Sequence, residues 1–199
     1  MAGDSGSIEY DAPPAGRYVM RVFIAIDVPE EVRSRLTALQ DELRPGTTTA
    51  RWVATESIHL TLKFIGEIPP ERRTDIDEGL AGLSWKPFSV SVRGIGFFPG
   101  TRHARVIWAG LHAPALQGLA EEVDARLERV GFGKEDRKFR PHLTLARSKN
   151  SRLDTALVTA CEKFVDAEFG TFTVDRYYLY ESTLKPGGSL YTKLKEYPL

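Results

Sequence analysis

The residues of this sequence best suited to chemistry are two histidines in identical tetrapeptides. His59-Leu60-Thr61-Leu62 recurs unchanged at His142-Leu143-Thr144-Leu145. In an extended strand alternate side chains point to opposite faces, so each histidine shares a face with its threonine and the leucines take the other face. Two imidazoles supply one proton acceptor and one proton donor, and the hydroxyls can hydrogen-bond phosphoryl oxygens. Because core packing alone does not require histidine and threonine at both positions, the repeat predicts a catalytic pair for phosphodiester displacement.

Four further side chains of the motif strands are candidate contacts for a substrate. Thr61 and Thr144 are predicted to donate hydrogen bonds to its nonbridging oxygens, whose charge changes during attack. Lys63 shares the His59 face by strict alternation and is a candidate substrate contact. Arg147 falls on the leucine face by the same rule, so it reaches a phosphate only if the strand bulges or ends before it.

The hydrophobic pattern of the first half predicts the order β-α-β-α-β. The predicted elements are a strand over 21–27, a helix over 29–44, the motif strand over 57–66, a helix over 69–83 and a strand over 88–98. Both helices open on proline and glutamate, as helix N-termini often do.

The second half repeats this order. Its predicted elements are strands over 104–110, 141–147, 169–181 and 190–195, with helices over 114–130 and 153–164. The first strands of the halves are offset by 84 residues and the motif histidines by 83, so the chain reads as an internal duplication. We therefore expect two lobes about a pseudo-twofold axis, approximately 20–103 and 104–199, with the motif strands facing each other across a central cleft.

Length and composition limit the class of protein. A chain of 199 residues forms one domain or two small fused lobes. The 27 basic residues equal the 27 acidic residues, so no overall positive field would attract long nucleic acid. No apolar stretch is long enough to span a membrane, and the single Cys161, expected to be buried on a helix, excludes an internal disulfide. We expect a monomeric, cytoplasmic protein without membrane contact.

The N-terminal residues differ in composition from the rest. Residues 1–17 are rich in Gly, Ser, Asp, Ala and Pro and lack an apolar core of signal-peptide length. We predict a disordered extension over 1–19 and a single folded domain over 20–199.

Residues outside the motifs are weaker candidates for substrate contact. Phe97, Phe98 and Trp108 are of the type that stacks on bases in single-stranded RNA readers, although core packing explains at least two of the three better. Arg105 belongs to a local basic cluster and is a candidate contact. The two histidines outside the motifs are predicted to lie on the surface or in loops.

Motif residues and their surroundings together carry a family resemblance. In chain order they are Arg21-Val22-Phe23-Ile24-Ala25-Ile26-Asp27, Trp52-Val53, Ile58-His59-Leu60-Thr61-Leu62-Lys63-Phe64-Ile65-Gly66-Glu67, Gly96-Phe97-Phe98-Pro99, Arg105-Val106-Ile107-Trp108, Phe139-Arg140-Pro141-His142-Leu143-Thr144-Leu145-Ala146-Arg147 and Glu181-Ser182-Thr183-Leu184. With these residues the chain resembles the 2H phosphoesterases, and among them most closely the RNA 2′,3′-cyclic phosphodiesterases, formerly called 2′-5′ RNA ligases.

The resemblance implies a fold, a reaction and residue roles. It implies an α+β fold with an antiparallel sheet and flanking helices in each lobe, and an active cleft between the lobes. The implied reaction is metal-independent, cofactor-free hydrolysis of an RNA 2′,3′-cyclic phosphate to a 2′-phosphate, with reverse 2′-5′ ligation as a further activity. The implied substrates are RNA ends, tRNA fragments among them. By the family pattern His59 is the proton donor, His142 is the proton acceptor and Arg147 is a phosphate ligand.

Three alternatives remain open on the residues. A metallohydrolase built on the same histidines is disfavoured, because the sequence has no closely spaced histidine or cysteine pair and no carboxylate inside either motif. A noncatalytic module that binds RNA ends is disfavoured because both histidines are intact. A 2H phosphodiesterase that acts on 2′-5′ oligonucleotides or on another small cyclic phosphate is equally compatible with the motifs.

Overall fold

Nine strands and four α-helices occur in the part of the chain that the structure describes. The computed structural model describes residues 18–45, 47–185 and 188–199. In chain order the elements are β1 (Met20–Asp27), α1 (Glu30–Leu43), β2 (Ala50–Trp52), β3 (His59–Ile68), α2 (Arg73–Leu80), β4 (Phe88–Phe98), β5 (Val106–His112), α3 (Ala115–Arg129), β6 (His142–Ser148), α4 (Thr155–Cys161), β7 (Glu168–Val174), β8 (Arg176–Lys185) and β9 (Gly188–Pro198). Each predicted motif strand is present, and each begins at its histidine.

The strands form two antiparallel sheets. The first sheet has the order β3-β1-β8-β9, and the second has the order β2-β6-β5-β4-β7. In both sheets the motif strand pairs with the first strand of its own sequence half, β3 with β1 and β6 with β5. This arrangement confirms the predicted α+β fold with an antiparallel sheet in each lobe.

The two sequence halves exchange elements. Strand β4 lies in the second sheet between β5 and β7, whereas β8 and β9 complete the first sheet beside β1. The helices are exchanged as well, since α1 packs against β7 and α4 while α3 packs against β3 and α2. The lobes therefore do not coincide with residues 20–103 and 104–199, because each half contributes a helix and at least one strand to the other lobe.

One predicted strand, 169–181, is two strands in different sheets. β7 ends at Val174 and β8 begins at Arg176. β7 pairs with β4, and β8 pairs with β1. Because no glycine or proline marks the crossing at Asp175, the sequence pattern indicated a single run.

Helix α1 shows how a helix seals the core beneath the site. Glutamates fill its first turn, where they oppose the positive end of the helix dipole. Its buried positions recur at helical spacing and are Val32, Leu36, Leu39, Gln40 and Leu43. The buried Gln40 amide donates hydrogen bonds of 2.9 Å to the carbonyls of Val53 and Leu145. Gln40 thus satisfies two backbone acceptors beside the second motif.

The start of the folded region is tied to the first sheet. Residues 1–17 of the predicted extension lie outside the described residues. Tyr18 is exposed, and its hydroxyl donates a 2.9 Å hydrogen bond to the carboxylate of Glu181. None of the helices within the described ranges is long and apolar enough to cross a membrane.

Cys161 is buried at the end of α4, as predicted. Burial raises the pKa of its thiol to about 12. Because the thiolate is the reactive form, this cysteine is an inert packing residue.

Candidate active site

A β-bulge interrupts the first motif strand directly after Thr61. Thr61 and Lys63 pair with consecutive residues of β1, so Leu62 is the extra residue of β3. The bulge inverts the alternation of side chains beyond it. Lys63 consequently lies on the leucine face, where it is buried, and Phe64 takes the open face, where it is 52% exposed. The prediction that Lys63 shares the face of His59 is therefore wrong.

Lys63 instead joins strand β3 to helix α3. Its ammonium forms an ion pair with the Asp124 carboxylate and donates a 2.6 Å hydrogen bond to the carbonyl of Gly133. The lysine side chain is 1% exposed and that of Asp124 is 17% exposed. Lys63 is thus a structural cation beneath the site.

The second motif strand bulges at the equivalent position. Thr144 and Ala146 pair with consecutive residues of β5, so Leu145 is the extra residue of β6. Here the inverted alternation brings Arg147 to the open face, which it shares with Thr144. Arg147 and Phe64 are separated by the same 83 residues as the two histidines, so the duplicated site has a cation in one lobe and an aromatic ring in the other.

Both histidines are held by the same hydrogen bond. The Nδ1 atom of His59 lies 2.8 Å from the carbonyl of Ser57, and the Nδ1 atom of His142 lies 2.7 Å from the carbonyl of Arg140. A carbonyl oxygen only accepts, so Nδ1 must carry the proton in each ring. This leaves both Nε2 atoms as the nitrogens that exchange a proton with a substrate.

The surroundings of His59 favour its neutral form. Burial is the largest effect, and together with the positive charge of Arg147 and the repulsion from His142 it lowers the pKa of His59 to about 4. The hydrogen bond to Ser57 and the negative charge of Asp27 act in the opposite direction. Asp27 is the cross-strand partner of His59 in the β1–β3 pair.

The surroundings of His142 act in the same direction. Burial lowers the pKa of His142, the hydrogen bond to Arg140 opposes this shift, and the charge of Arg147 adds to it. Arg147 is therefore close enough to both imidazoles to repel a proton from either. Strands β3 and β6 also contact each other, so the two motif histidines lie on neighbouring strands of the two sheets.

Aromatic rings account for the burial of His59. Its ring centroid lies 4.8 Å from that of Phe23, 4.9 Å from that of Tyr191 and 6.2 Å from that of Tyr180. Phe98 contacts His142 edge-on, with the centroids 4.9 Å apart. These rings displace water from one side of each imidazole, which is the physical origin of the lowered pKa values.

Trp108 covers the open face of the second sheet beside Thr144. It pairs with Thr144 on one side and with Gly96 on the other. A Cβ atom added at Gly96 would lie 2.2 Å from the indole ring, so the ring lies flat over a position that only glycine can occupy. Phe98 packs against the indole with a centroid distance of 5.2 Å.

This geometry agrees with what comparison to known proteins shows. The family model "LigT like Phosphoesterase" matches residues 26–108 and again 112–191. The chain is 35% identical to the RNA 2′,3′-cyclic phosphodiesterase of Methanocaldococcus jannaschii over 89% of its own length and all of the relative's. It is 37% identical to the protein of the same name from Thermotoga maritima, over 89% of this chain and 94% of that protein.

The chain belongs to the LigT-like phosphoesterase family.

Solved structures share the fold of this LigT-like phosphoesterase. TT0787 of Thermus thermophilus matches with a TM-score of 0.76 and 34% identity, over 90% of this chain and 98% of that one. LigT of E. coli in complex with 3′-AMP matches with a TM-score of 0.74 and 26% identity, over 92% of this chain and 99% of that one. The double match of the family model agrees with the predicted internal duplication.

The remaining predicted contacts of this LigT-like phosphoesterase divide between the site and the core. Phe98 contacts His142, but the preceding Phe97 points to the other face of β4 and is 9% exposed, so its prediction as a substrate contact is wrong. Arg105 is exposed at the start of β5, where its Nε donates a 3.0 Å hydrogen bond to the carbonyl of Ser151. The predicted exposure of His103 and His112 is confirmed.

Among the described residues there is no cluster of three or more potential metal ligands. Within residues 18–45, 47–185 and 188–199, no three His, Cys, Asp or Glu side chains converge. Metal independence nevertheless stays a prediction about the reaction.

Sequence reasoning missed four residues that surround His59 in this LigT-like phosphoesterase. Phe23 of β1 packs against the imidazole. Asp27 and Tyr180 approach it across paired strands, and Tyr191 comes from β9. Asp27 had a usable signal, because it ends the strand that pairs with the motif strand. The tyrosines had none, because their place depends on the crossing of β8 into the first sheet.

Proposed function

We propose that this protein hydrolyses a terminal RNA 2′,3′-cyclic phosphate to a 2′-phosphate, with His59 and His142 as the acid-base pair. One observation supports the proposal: the two motif strands β3 and β6 contact each other, each holds its histidine by an Nδ1 hydrogen bond that leaves Nε2 for proton transfer, and the charge of Arg147 acts on both rings. A cyclic phosphate suits such a site because its strained ring already carries the activation, so water needs only positioning and proton transfer.

The proposed step transfers one proton in and one proton out. Nε2 of His142 accepts a proton from water as the water oxygen bonds to phosphorus. The bond from phosphorus to the 3′-oxygen breaks, and that oxygen takes a proton from Nε2 of His59. Attack is in line, so the base and the acid must flank the phosphate, as residues from facing lobes do.

One electrostatic feature, the Asp27 carboxylate beside His59, supports His59 as the proton donor, while burial acts in the opposite direction. Asp27 favours the protonated form of His59, whereas no carboxylate of the described residues has this effect on His142. His59 is neutral at pH 7 without substrate, because its pKa is lowered to about 4. The negative charge of a bound phosphate raises the pKa of His59, so substrate binding favours the protonated form that the acid needs.

Arg147 and the two threonines would stabilise the charge on the phosphate. Thr61 and Thr144 share the open faces with their histidines, and their hydroxyls are neutral donors for nonbridging oxygens. Arg147 is a fixed cation with several donors in a rigid fork, which matches phosphate geometry. Donors aimed at a developing negative charge are typically the largest source of rate enhancement.

The names of the relatives support the substrate class. The relatives from M. jannaschii and T. maritima are named RNA 2′,3′-cyclic phosphodiesterases, and E. coli LigT binds 3′-AMP. We extend the proposal to RNA ends such as tRNA fragments and to reverse 2′-5′ ligation. Action on 2′-5′ oligonucleotides is the second candidate, because the same pair of histidines can transfer protons at a 2′-5′ phosphodiester, although that linkage lacks the strain of the cyclic phosphate.

Product analysis tests this function. The protein is incubated with nucleoside and dinucleotide 2′,3′-cyclic phosphates and with 2′-5′ linked dinucleotides, and 2′- and 3′-phosphates are separated. We expect 2′-phosphates from the cyclic substrates, with no loss of rate in a chelator. A 3′-phosphate product would contradict the assigned leaving group, and binding without turnover would support the noncatalytic alternative.

A further inference from the structure

Two arginines lie side by side on the open face of the second sheet. Arg51 of β2 is paired directly with Arg147 of β6. Directly opposed residues of antiparallel strands point to the same face, with Cβ atoms about 4.5–5.5 Å apart. Arg51 therefore shares the face of Arg147 and Thr144, one strand farther from the histidines.

Two like charges in this position are unfavourable without an anion. Opposed like charges destabilise a strand pair. Some arginines of the described residues have carboxylate partners, such as Arg72 with Asp75 and Arg126 with Glu122. Across the described ranges, by contrast, neither Arg51 nor Arg147 makes an ion pair, and both are exposed.

The two arginines differ in their relation to the reaction site. Arg147 lowers the pKa of both catalytic histidines, whereas Arg51 is not among the groups that shift either one. Adjacent strands are about 4.8 Å apart, so the guanidinium of Arg51 is positioned for a group beside the reacting phosphate. In an RNA strand the neighbouring anion is the phosphodiester that precedes the terminal nucleoside.

We propose that Arg51 forms a second phosphate site, which binds the phosphodiester preceding the cyclic end and makes oligonucleotides better substrates than nucleoside 2′,3′-cyclic phosphates. This inference rests on the proposed function. Among the described residues the first sheet has no equivalent pair, because β3 is its edge strand and Phe64 occupies the position that corresponds to Arg147. The preceding RNA strand thus leaves the cleft over the edge of the second sheet, at β2.

Matched substrates isolate the charge that Arg51 would bind. We compare kcat/KM for uridine 2′,3′-cyclic phosphate, for the dinucleotide with one preceding phosphodiester, and for the same dinucleotide with an uncharged methylphosphonate linkage. In the wild type we expect the charged dinucleotide to exceed the methylphosphonate by about tenfold, the contribution of one charge-assisted hydrogen bond. The R51Q variant should lose this difference.

Salt dependence and a control variant complete the test. The dependence of log kcat/KM on log salt should be shallower by about 0.7 in R51Q for the charged dinucleotide, which corresponds to one phosphate contact. The control is R152Q, which removes another exposed arginine, in the loop that follows β6. An equal loss in R152Q would mean a diffuse field and would overturn the proposal.

The remaining outcomes separate this inference from the proposed function. If R51Q slows the nucleoside cyclic phosphate as much as the dinucleotide, Arg51 acts on the reacting phosphate and the second site is refuted. If the wild type hydrolyses all three substrates equally, the second site fails and the proposed function stands. If the wild type hydrolyses none of them, the proposed function itself fails.

Discussion

Replacing Lys63 by methionine should reduce stability and leave catalysis intact. The substitution keeps most of the aliphatic volume but removes the ammonium that pairs with Asp124 and donates to the carbonyl of Gly133. Removing one partner of a buried ion pair costs about 3–5 kcal/mol, and the partial exposure of Asp124 favours the lower end. For a domain of this size, a loss of about 3 kcal/mol lowers Tm by roughly 6–12 °C.

The assay combines thermal unfolding, followed by circular dichroism, with turnover of a cyclic phosphate at a temperature where both proteins are folded. Lys86→Met is the matched control, because Lys86 is exposed in a loop, and it should change neither quantity. The double variant K63M/D124L should recover part of the stability, because apolar residues replace both charges, while the Gly133 carbonyl and the Glu135 N–H lose their side-chain partners. A K63M protein with unchanged Tm and a tenfold loss of turnover would refute the bulged register and return Lys63 to the site.

Three further predictions concern pH and the packing of Trp108 on Gly96. The pH profile of kcat/KM should be bell-shaped with its maximum below pH 6.5, because the pKa values of His59 and His142 are both lowered in the free protein. The kcat profile should lie at higher pH, because bound phosphate favours the protonated acid. Coincident profiles would count against protonation of His59 by substrate binding. The unfolded chain binds a proton at His59 near pH 6.5, whereas the folded protein binds it only near pH 4. The free energy of unfolding should therefore fall as the pH is lowered between these values. Urea titrations of the H59Q variant should show a smaller fall. Gly96→Ala should displace the Trp108 indole, giving a shifted tryptophan fluorescence and reduced turnover; an unchanged spectrum would show that the indole does not lie on Gly96.

The sequence predicted the duplicated strands well because their signals are local. Period-two alternation and the repeated offset are sufficient to indicate two motif strands, and both are present. Alternation failed one residue beyond the threonines. The bulge at Leu62 places Lys63 on the leucine face of its strand, and the bulge at Leu145 places Arg147 on the histidine face, each opposite to strict alternation. Neither bulge is marked by glycine. A bulge is set by pairing with another strand, so parity within one strand cannot reveal it.

The exchange between lobes was beyond sequence reasoning for a related reason. The hydrophobic pattern indicates where β4 and β8 lie along the chain, but tertiary packing determines which strands they pair with. Asp175 marks the crossing between sheets only as one exposed residue in a continuous run. Tyr180 and Tyr191 lie near His59 only because β8 and β9 follow that crossing into the first sheet. These contacts of the candidate acid could not be predicted from the sequence pattern. The error at Phe97 has a local cause. Phe98 contacts His142, and neighbouring residues of a strand point to opposite faces, so Phe97 points into the core.

The central claim, a two-histidine reaction, is tested most directly by residual turnover of H59A and H142A on a dinucleotide 2′,3′-cyclic phosphate, measured across pH in a chelator. Each variant should lose at least about 10² in turnover with its fold intact, and the double variant should lose less than the product of the two. H142A should lose the acidic limb of the profile and H59A the basic limb. Near-normal turnover in either single variant, or activity that depends on added zinc or manganese, would contradict the account; exchanged limbs would reverse the acid and the base.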